Sequence, residues 1–263
     1  ARIEGRPVGI VANNPMHLAG AIDSDGADKS ARFLQLCDAF DIPVVFLCDT
    51  PGIMVGREAE QSALVRHVSR LFVTGANLSV PFGTIILRKG YGLGAQAMAR
   101  GSFHGNAMTV AWPTGEFGGM GLEGAVRLGY RKELEAETDP AKRAELESFL
   151  IARAYENGSA LNMASHVEID DVIDPAESRR VISRVLAAAP EPPPPENTTA
   201  GVRMKSAATI WPLPMFEPLR ASPEAARSRS CIMFCMPTPR SATMKQLDCW
   251  MISLMRPTGE PRW

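Results

Sequence analysis

The sequence contains no run of 18 or more apolar residues, which removes any candidate membrane-spanning helix. No basic segment followed by an apolar one opens the chain, so nothing argues for export. Charge of one sign is not in excess either. The 28 Lys/Arg and 29 Asp/Glu leave a formal net charge of −1, which gives no electrostatic footprint for nucleic acid. Cysteine is sparse: Cys37, Cys48, Cys231, Cys235 and Cys249. Cys37 sits in an apolar helical pattern and Cys48 ends an apolar strand, so both read as small core residues. Cys231 and Cys235 lack a matching second pair or any histidine in the tail, so no metal site is expected there. Reduced cysteines suit a cytoplasmic protein.

Several catalytic signatures are missing as well. No Gly-Lys-Ser/Thr closes a glycine-rich loop, and no GxSxG occurs. His17, His67, His104 and His166 accompany no Ser or Cys nucleophile pattern and read as surface or packed residues. Asp23, Asp25 and Asp28 lack the spacing and terminal Glu of a calcium loop, and helix capping by Asp25 or Asp28 is the better account. Trp112 ends a strand and reads as core. The first residue is Ala1 rather than Met, so the chain reads as a processed product or a piece of something longer, and Ile3-Glu4-Gly5-Arg6 also resembles a protease-linker scar.

What is present divides in two. Residues 201–263 carry nine Lys/Arg against four Asp/Glu, whereas the first 200 hold 19 against 25. The first 190 residues alternate strand and helix patterns. Val8–Ala12 is a β-branched run ending at Asn13-Asn14-Pro15. Phe33, Leu34, Leu36, Cys37 and Phe40 fall on one helical face, and Val44–Cys48 reads as a buried strand broken by Pro51-Gly52. Leu64, Val65, Val68, Leu71, Phe72 and Val73 trace a second helix ending near Gly75. Thr84–Leu87 is the next strand; Gly90 to Gly94 form a glycine-rich turn, with a helix starting at Ala95. A strand at Met108–Trp112 leads into a second glycine-rich stretch, Gly115 to Gly124, and helices are expected over about Ala141–Tyr155 and Ala176–Ala188. Interleaved strands and helices predict an α/β domain over 1–190.

Residues 191–263 form a second region. Pro190-Glu191-Pro192-Pro193-Pro194-Pro195 reads as a polyproline exit, and no period of 2 or 3.6 follows. Such a tail is either a disordered appendage or sequence never selected to fold, such as an out-of-frame extension; Trp211, Trp250 and Trp263 favour the latter.

The turn Gly90-Tyr91-Gly92-Leu93-Gly94-Ala95 is the sharpest chemical feature. A buried strand feeding a glycine-rich turn and a helix start leaves several N–H groups unpaired and pointing one way, a nest for phosphate or an oxyanion. The competing reading is a tight strand-to-helix turn that needs small residues for packing. The stretch is neither a P-loop nor GxGxxG, since Ala95 or Ala97 takes the last position.

The strings Gly5-Arg6-Pro7-Val8-Gly9-Ile10-Val11-Ala12-Asn13-Asn14-Pro15, Asp28-Lys29-Ser30-Ala31-Arg32-Phe33, Asp49-Thr50-Pro51-Gly52, Arg88-Lys89-Gly90-Tyr91-Gly92, Ala111-Trp112-Pro113-Thr114 and Asp170-Asp171-Val172-Ile173-Asp174-Pro175 resemble, in order, the C-terminal domain of biotin-dependent acyl-CoA carboxyltransferases. The resemblance covers nearly all of residues 5–190. It implies a crotonase-like fold of repeated ββα units in a single domain with an irregular C-terminal tail. It also implies a site shared with an N-terminal carboxyltransferase domain, within a homo-oligomer served by biotin carboxylase and a biotin carboxyl carrier protein. Biotin would be the cofactor and a coenzyme A thioester the substrate. Matched to the family's Tyr-Gly-Gly-Ala, the biotin-side oxyanion donors fall on the N–H groups of Leu93 and Gly94, where this chain departs by having Leu for Gly and Gly for Ala. Gly92, Ala95 and Gln96 would line the substrate site, Gln96 at a position that helps select the acyl chain. Two alternatives stand beside this: a crotonase-type enoyl-CoA hydratase or isomerase, with Glu116 as candidate base, and an inactive truncated product with assembly contacts only.

Overall fold

The computed structural model describes residues 1–189. The polyproline exit, the basic tail and its three cysteines lie outside the described residues. A small antiparallel hairpin, β1 (Arg2–Ile3) with β2 (Arg6–Pro7), opens the chain. The main sheet then runs β3 (Gly9–Ala12), β4 (Val44–Thr50), β5 (Phe82–Tyr91), β6 (Met108–Ala111) and β8 (Asp171–Val172), every pairing parallel. A short strand, β7 (Glu116–Gly118), pairs with the last three residues of β5. Parallel order demands a crossover between strands, and helices supply most of them: α1 (Ser24–Ala39), α2 (Arg57–Gln61), α3 (Leu64–Ala76) and α4 (Gly92–Ala97), then α5 (Leu122–Gly129), α6 (Arg131–Ala136), α7 (Pro140–Asn157), α8 (Ala160–Ser165) and α9 (Ser178–Ala188).

Strand, short bridge segment and helix recur. After β3, Ile22 bridges Ile53 before α1; after β4, Ile53 supplies the same bridge before α2 and α3; after β6, β7 precedes α5. The bridging pieces lie beyond the carboxyl ends of the strands, where Ile22 N–H donates to Gly52 O and Met54 N–H to Ile22 O. This is the ββα repeat of a crotonase-like α/β fold.

Alternation along the strands separates two cores. Val44, Phe46 and Cys48 point into the larger one, with Leu34 and Cys37 of α1, Leu71 of α3 and Met98 just after α4. Val45 and Ile85 point to the other face, with Val8, Met108, Val110 and Ile182 of α9. The Phe46 and Phe82 rings meet at 4.7 Å between centroids.

Several local expectations change. Asp23, not Asp25 or Asp28, caps α1 by accepting from Gly26 N–H at 2.7 Å. Asp28 is instead taken by α3, accepting from His67 Nδ1 at 2.8 Å and Arg70 Nη1 at 2.9 Å, which also gives His67 the acidic partner its own helix lacks. Leu36, Phe40 and Val65 are more than half exposed, because the α1 and α3 faces that meet are narrower than their apolar stripes. β5 begins before Thr84 and continues through Arg88-Lys89-Gly90 to Tyr91, and α4 starts at Gly92 rather than Ala95. The stretch from Gly115 to Gly124 is not simply a turn: it contains β7 and the start of α5.

Asp38 is the principal buried carboxylate. At 1% exposure near the end of α1, its Oδ1 accepts from Ser79 N–H (2.8 Å), Ser79 Oγ–H (3.0 Å) and Val80 N–H (3.3 Å), tying that helix to the entry of β5. Asp38→Ala strands these donors, Val80 N–H among them in the interior. Urea unfolding is expected to show a loss of about 2–3 kcal/mol, with Asp38→Asn losing less because one acceptor oxygen remains.

Candidate functional site

At the carboxyl end of the sheet, β4 and β5 slip out of register between Cys48 and Thr50, so that Thr50 stands opposite Gly90. A register slip orphans ladder groups, and side chains satisfy them here. Asp49 Oδ1 accepts Lys89 N–H at 3.1 Å, and Cys48 Sγ–H donates to Lys89 O at 3.7 Å. The Asp49 N–H donates to Asn13 Oδ1 at 3.1 Å, and the Arg88 guanidinium approaches both Asp49 oxygens at 3.4 Å. The last residues of β5 are thereby fixed before the chain turns.

At that turn β5 becomes α4 with Tyr91 as the N-cap and no side-chain cap bond. Gly92, Leu93 and Gly94 are the first three helical residues, positions whose N–H groups have no carbonyl four residues back to receive them. Gly92 sits at φ +56°, and a Cβ there would lie 2.7 Å from Gly119 O. A Cβ on Gly94 would lie 2.6 Å from both Cα and C of Gly52. The turn is thus pressed between two backbone segments, one following β4 and one following β7.

The five residues singled out from the sequence share this one turn and diverge in exposure. Leu93 is 59% exposed, Gly92 and Gln96 are half-buried, and Gly94 and Ala95 are buried, with the Ala95 side chain in the larger core. The sequence offered no sign of Tyr91 or Glu116 as partners. Tyr91 Oη–H donates to Glu116 Oε2 at 2.7 Å, and burial together with this carboxylate pushes the phenol pKa well up. Their separation of 25 residues leaves no local pattern; parallel β5–β7 pairing brings them to one face, with Glu116 opposite Lys89 and Tyr91 two residues along. A second such bond, Tyr155 Oη–H to Glu123 at 2.7 Å, joins α7 to α5.

Elsewhere, the described residues show a cavity of about 390 Å³ at the opposite end of β5, lined by Phe82, Arg100, Val185 and neighbours. Trp112 packs in the smaller core and donates from Nε1 to Ser178 Oγ at 2.9 Å. No cluster of three or more His, Cys, Asp or Glu suited to a metal occurs among the described residues, and no helix among them is long and apolar enough to cross a membrane.

Residues 1–197 match the family model described as the carboxyl transferase domain. The chain is 40% identical over 186 residues to the biotin-dependent long chain acyl-coenzyme A carboxylase beta4 subunit of Mycobacterium tuberculosis, covering 71% of this chain and 35% of that protein. Among solved structures, a single-chain, multi-domain long-chain acyl-CoA carboxylase is similar with a TM-score of 0.63 and 59% identity, over 70% of this chain and 18% of that one. The transcarboxylase 12S hexamer core with methylmalonyl-coenzyme A bound is similar with a TM-score of 0.65 and 37% identity, over 75% of this chain and 38% of that one. The chain therefore spans about a third of the length of the curated relatives it matches.

The register slip carries a pH dependence. Burial pushes the Cys48 thiol up to about 12 and also raises the Tyr91 phenol. The folded chain then keeps protons that an unfolded thiol releases above about pH 8.5 and a phenol above about pH 10. A raised folded pKa means stability that is complete below those values and lost as pH climbs. The stability measured by urea unfolding is expected to fall steadily between about pH 9 and pH 12, and Cys48→Ala to flatten the early part of that slope.

Proposed function

Membership of the carboxyl transferase domain family is the premise, and from it we propose that this chain forms the biotin-side half of a biotin-dependent acyl-CoA carboxyltransferase site. The Leu93 and Gly94 N–H groups hold the ureido oxygen of biotin. The observation that carries the reading is the uncapped first turn of α4, lodged against Gly52 and Gly119.

The donor set suits an anionic urea. Two successive main-chain amides offer parallel donors, their spacing is fixed by the peptide, and among the described residues no side-chain cap competes for them. When bound, biotin supplies the carboxyl group and a ring nitrogen that takes up the α-proton of the acyl-CoA. The chain's own contribution is to hold negative charge on the ureido oxygen. Donors already in place spare the reorganisation that water would require, worth about 3–4 kcal/mol of barrier each. No side-chain nucleophile is needed for this, in keeping with the missing nucleophile motifs. The buried Gly94 and Ala95 keep the turn seated, while exposed Leu93 and half-buried Gln96 meet whatever acyl group approaches. The 59% identity to the long-chain acyl-CoA carboxylase structure supports a long acyl chain as substrate. Glu116, the base that a hydratase or isomerase would need, is engaged by the Tyr91 phenol, which favours carboxyl transfer.

The site then needs an N-terminal carboxyltransferase half for the coenzyme A, a biotinylated carrier charged by a biotin carboxylase, and an oligomer in which two copies meet. The hexamer core named for the transcarboxylase 12S structure supports such an assembly.

Gly94→Pro is a poor probe, because added ring atoms would strike Gly52 and unseat the turn. Leu93 is exposed and occupies the second helical position, where proline keeps a helical φ, removes the N–H and constrains Gly92 before it. In enzyme assembled with the N-terminal half, Leu93→Pro is expected to lower kcat for carboxyl transfer about 100–1000-fold. Leu93→Ala, which keeps the amide, should retain kcat. A folded Leu93→Pro enzyme with full activity overturns the assignment.

A further inference from the structure

Resting on the reading of the Gly92–Gly94 turn given above, we infer that Tyr91 is a positioning residue for carboxyl transfer: its phenol, bonded to Glu116 across β5 and β7, fixes the direction of the Leu93 and Gly94 amides.

A six-residue helix without a side-chain cap does not hold its own first turn. The orientation of that turn must come from its neighbours. Gly52 against Gly94 and Gly119 against Gly92 are steric stops; they bar approach and do nothing to prevent the turn from tilting away. Burial of Ala95 and Ala97 seats the rest of the helix, and attraction at its N-cap comes from β7. Its three residues pair with Lys89–Tyr91, and the 2.7 Å phenol–carboxylate bond extends that hold to the side chain of the N-cap residue itself.

Glu116 is well placed to anchor. One side of its strand pairs with β5, and the other bridges Ser159, where Phe117 N–H donates to Gly158 O at 2.7 Å. Tyr91 is 3% exposed, and a Cβ added to Gly118 would lie 3.7 Å from its ring. The ring therefore rests on β7 while its hydroxyl reaches the carboxylate. Loss of the bond leaves the packed ring in place and frees a rotation of the turn, the kind of misplacement that costs rate without costing the fold.

The test uses enzyme assembled with its N-terminal half, with melting temperatures measured alongside. Tyr91→Phe, which keeps the ring, is expected to lower kcat for carboxyl transfer about 10–100-fold while KM for the acyl-CoA holds within about twofold. Glu116→Gln still offers the phenol an acceptor and is expected to keep most of the rate. A Tyr91→Phe enzyme at full kcat overturns the inference. So does Glu116→Gln as slow as Tyr91→Phe, since the charge of Glu116 rather than the bond would then be what matters. Leu93→Pro run in parallel separates the two levels. If it is slow while Tyr91→Phe is fast, only the positioning role fails; if both are fast, the reading of the turn fails with it.

Discussion

Everything at the carboxyl end of this sheet depends on how closely two stretches of main chain can approach one another. Gly94 lies against Gly52 with no room for a methyl between them, and Gly92 holds a positive φ beneath the carbonyl of Gly119. Helices seldom begin in such confinement, because side chains at the first turn ordinarily keep neighbouring backbone at a distance. Three small residues around one large exposed one let α4 start there, and the same crowding stops its first amides from moving inward.

The approach is prepared a few residues earlier on each strand. The register slip at Asp49 leaves ladder groups that a plain sheet would pair, and Asp49, Cys48 and Asn13 satisfy them. A bulge satisfied in this way is rigid. It delivers Gly90 and Tyr91 to the turn at a set angle, and β7 receives them on the far side. The chemistry proposed for the turn needs nothing mobile from this chain: it asks for dipoles that do not have to reorganise.

Much of the fold was legible in the sequence because parallel strands buried on both faces are continuous apolar runs, and Val44–Cys48 and Thr84–Leu87 are of that kind. The extension of β5 to Tyr91 was not, since Arg88, Lys89 and Gly90 carry none of the strand signal and are held by pairing to β4 and β7. The capping aspartate was misread by two or five residues, as three aspartates within six residues are equivalent until the backbone chooses. Short helices such as α6 and α8 have too few residues to show a period. At the site, the glycine-rich turn stood out by composition. Its partners Gly52, Glu116 and Gly119 did not, because parallel crossovers bring together residues that no spacing rule connects.

The facing glycines also bind two distant positions into one heritable unit. In the resemblance drawn from the sequence, the family pattern has alanine where this chain has Gly94. An alanine there would oblige the helix to stand off from residue 52, and the proposed anion site would grow shallower or turn. A single methyl therefore acts as a depth gauge. A change at residue 94 therefore calls for a matching shift of the loop after β4, so substitutions near residue 52 and at residue 94 are expected to act as pairs.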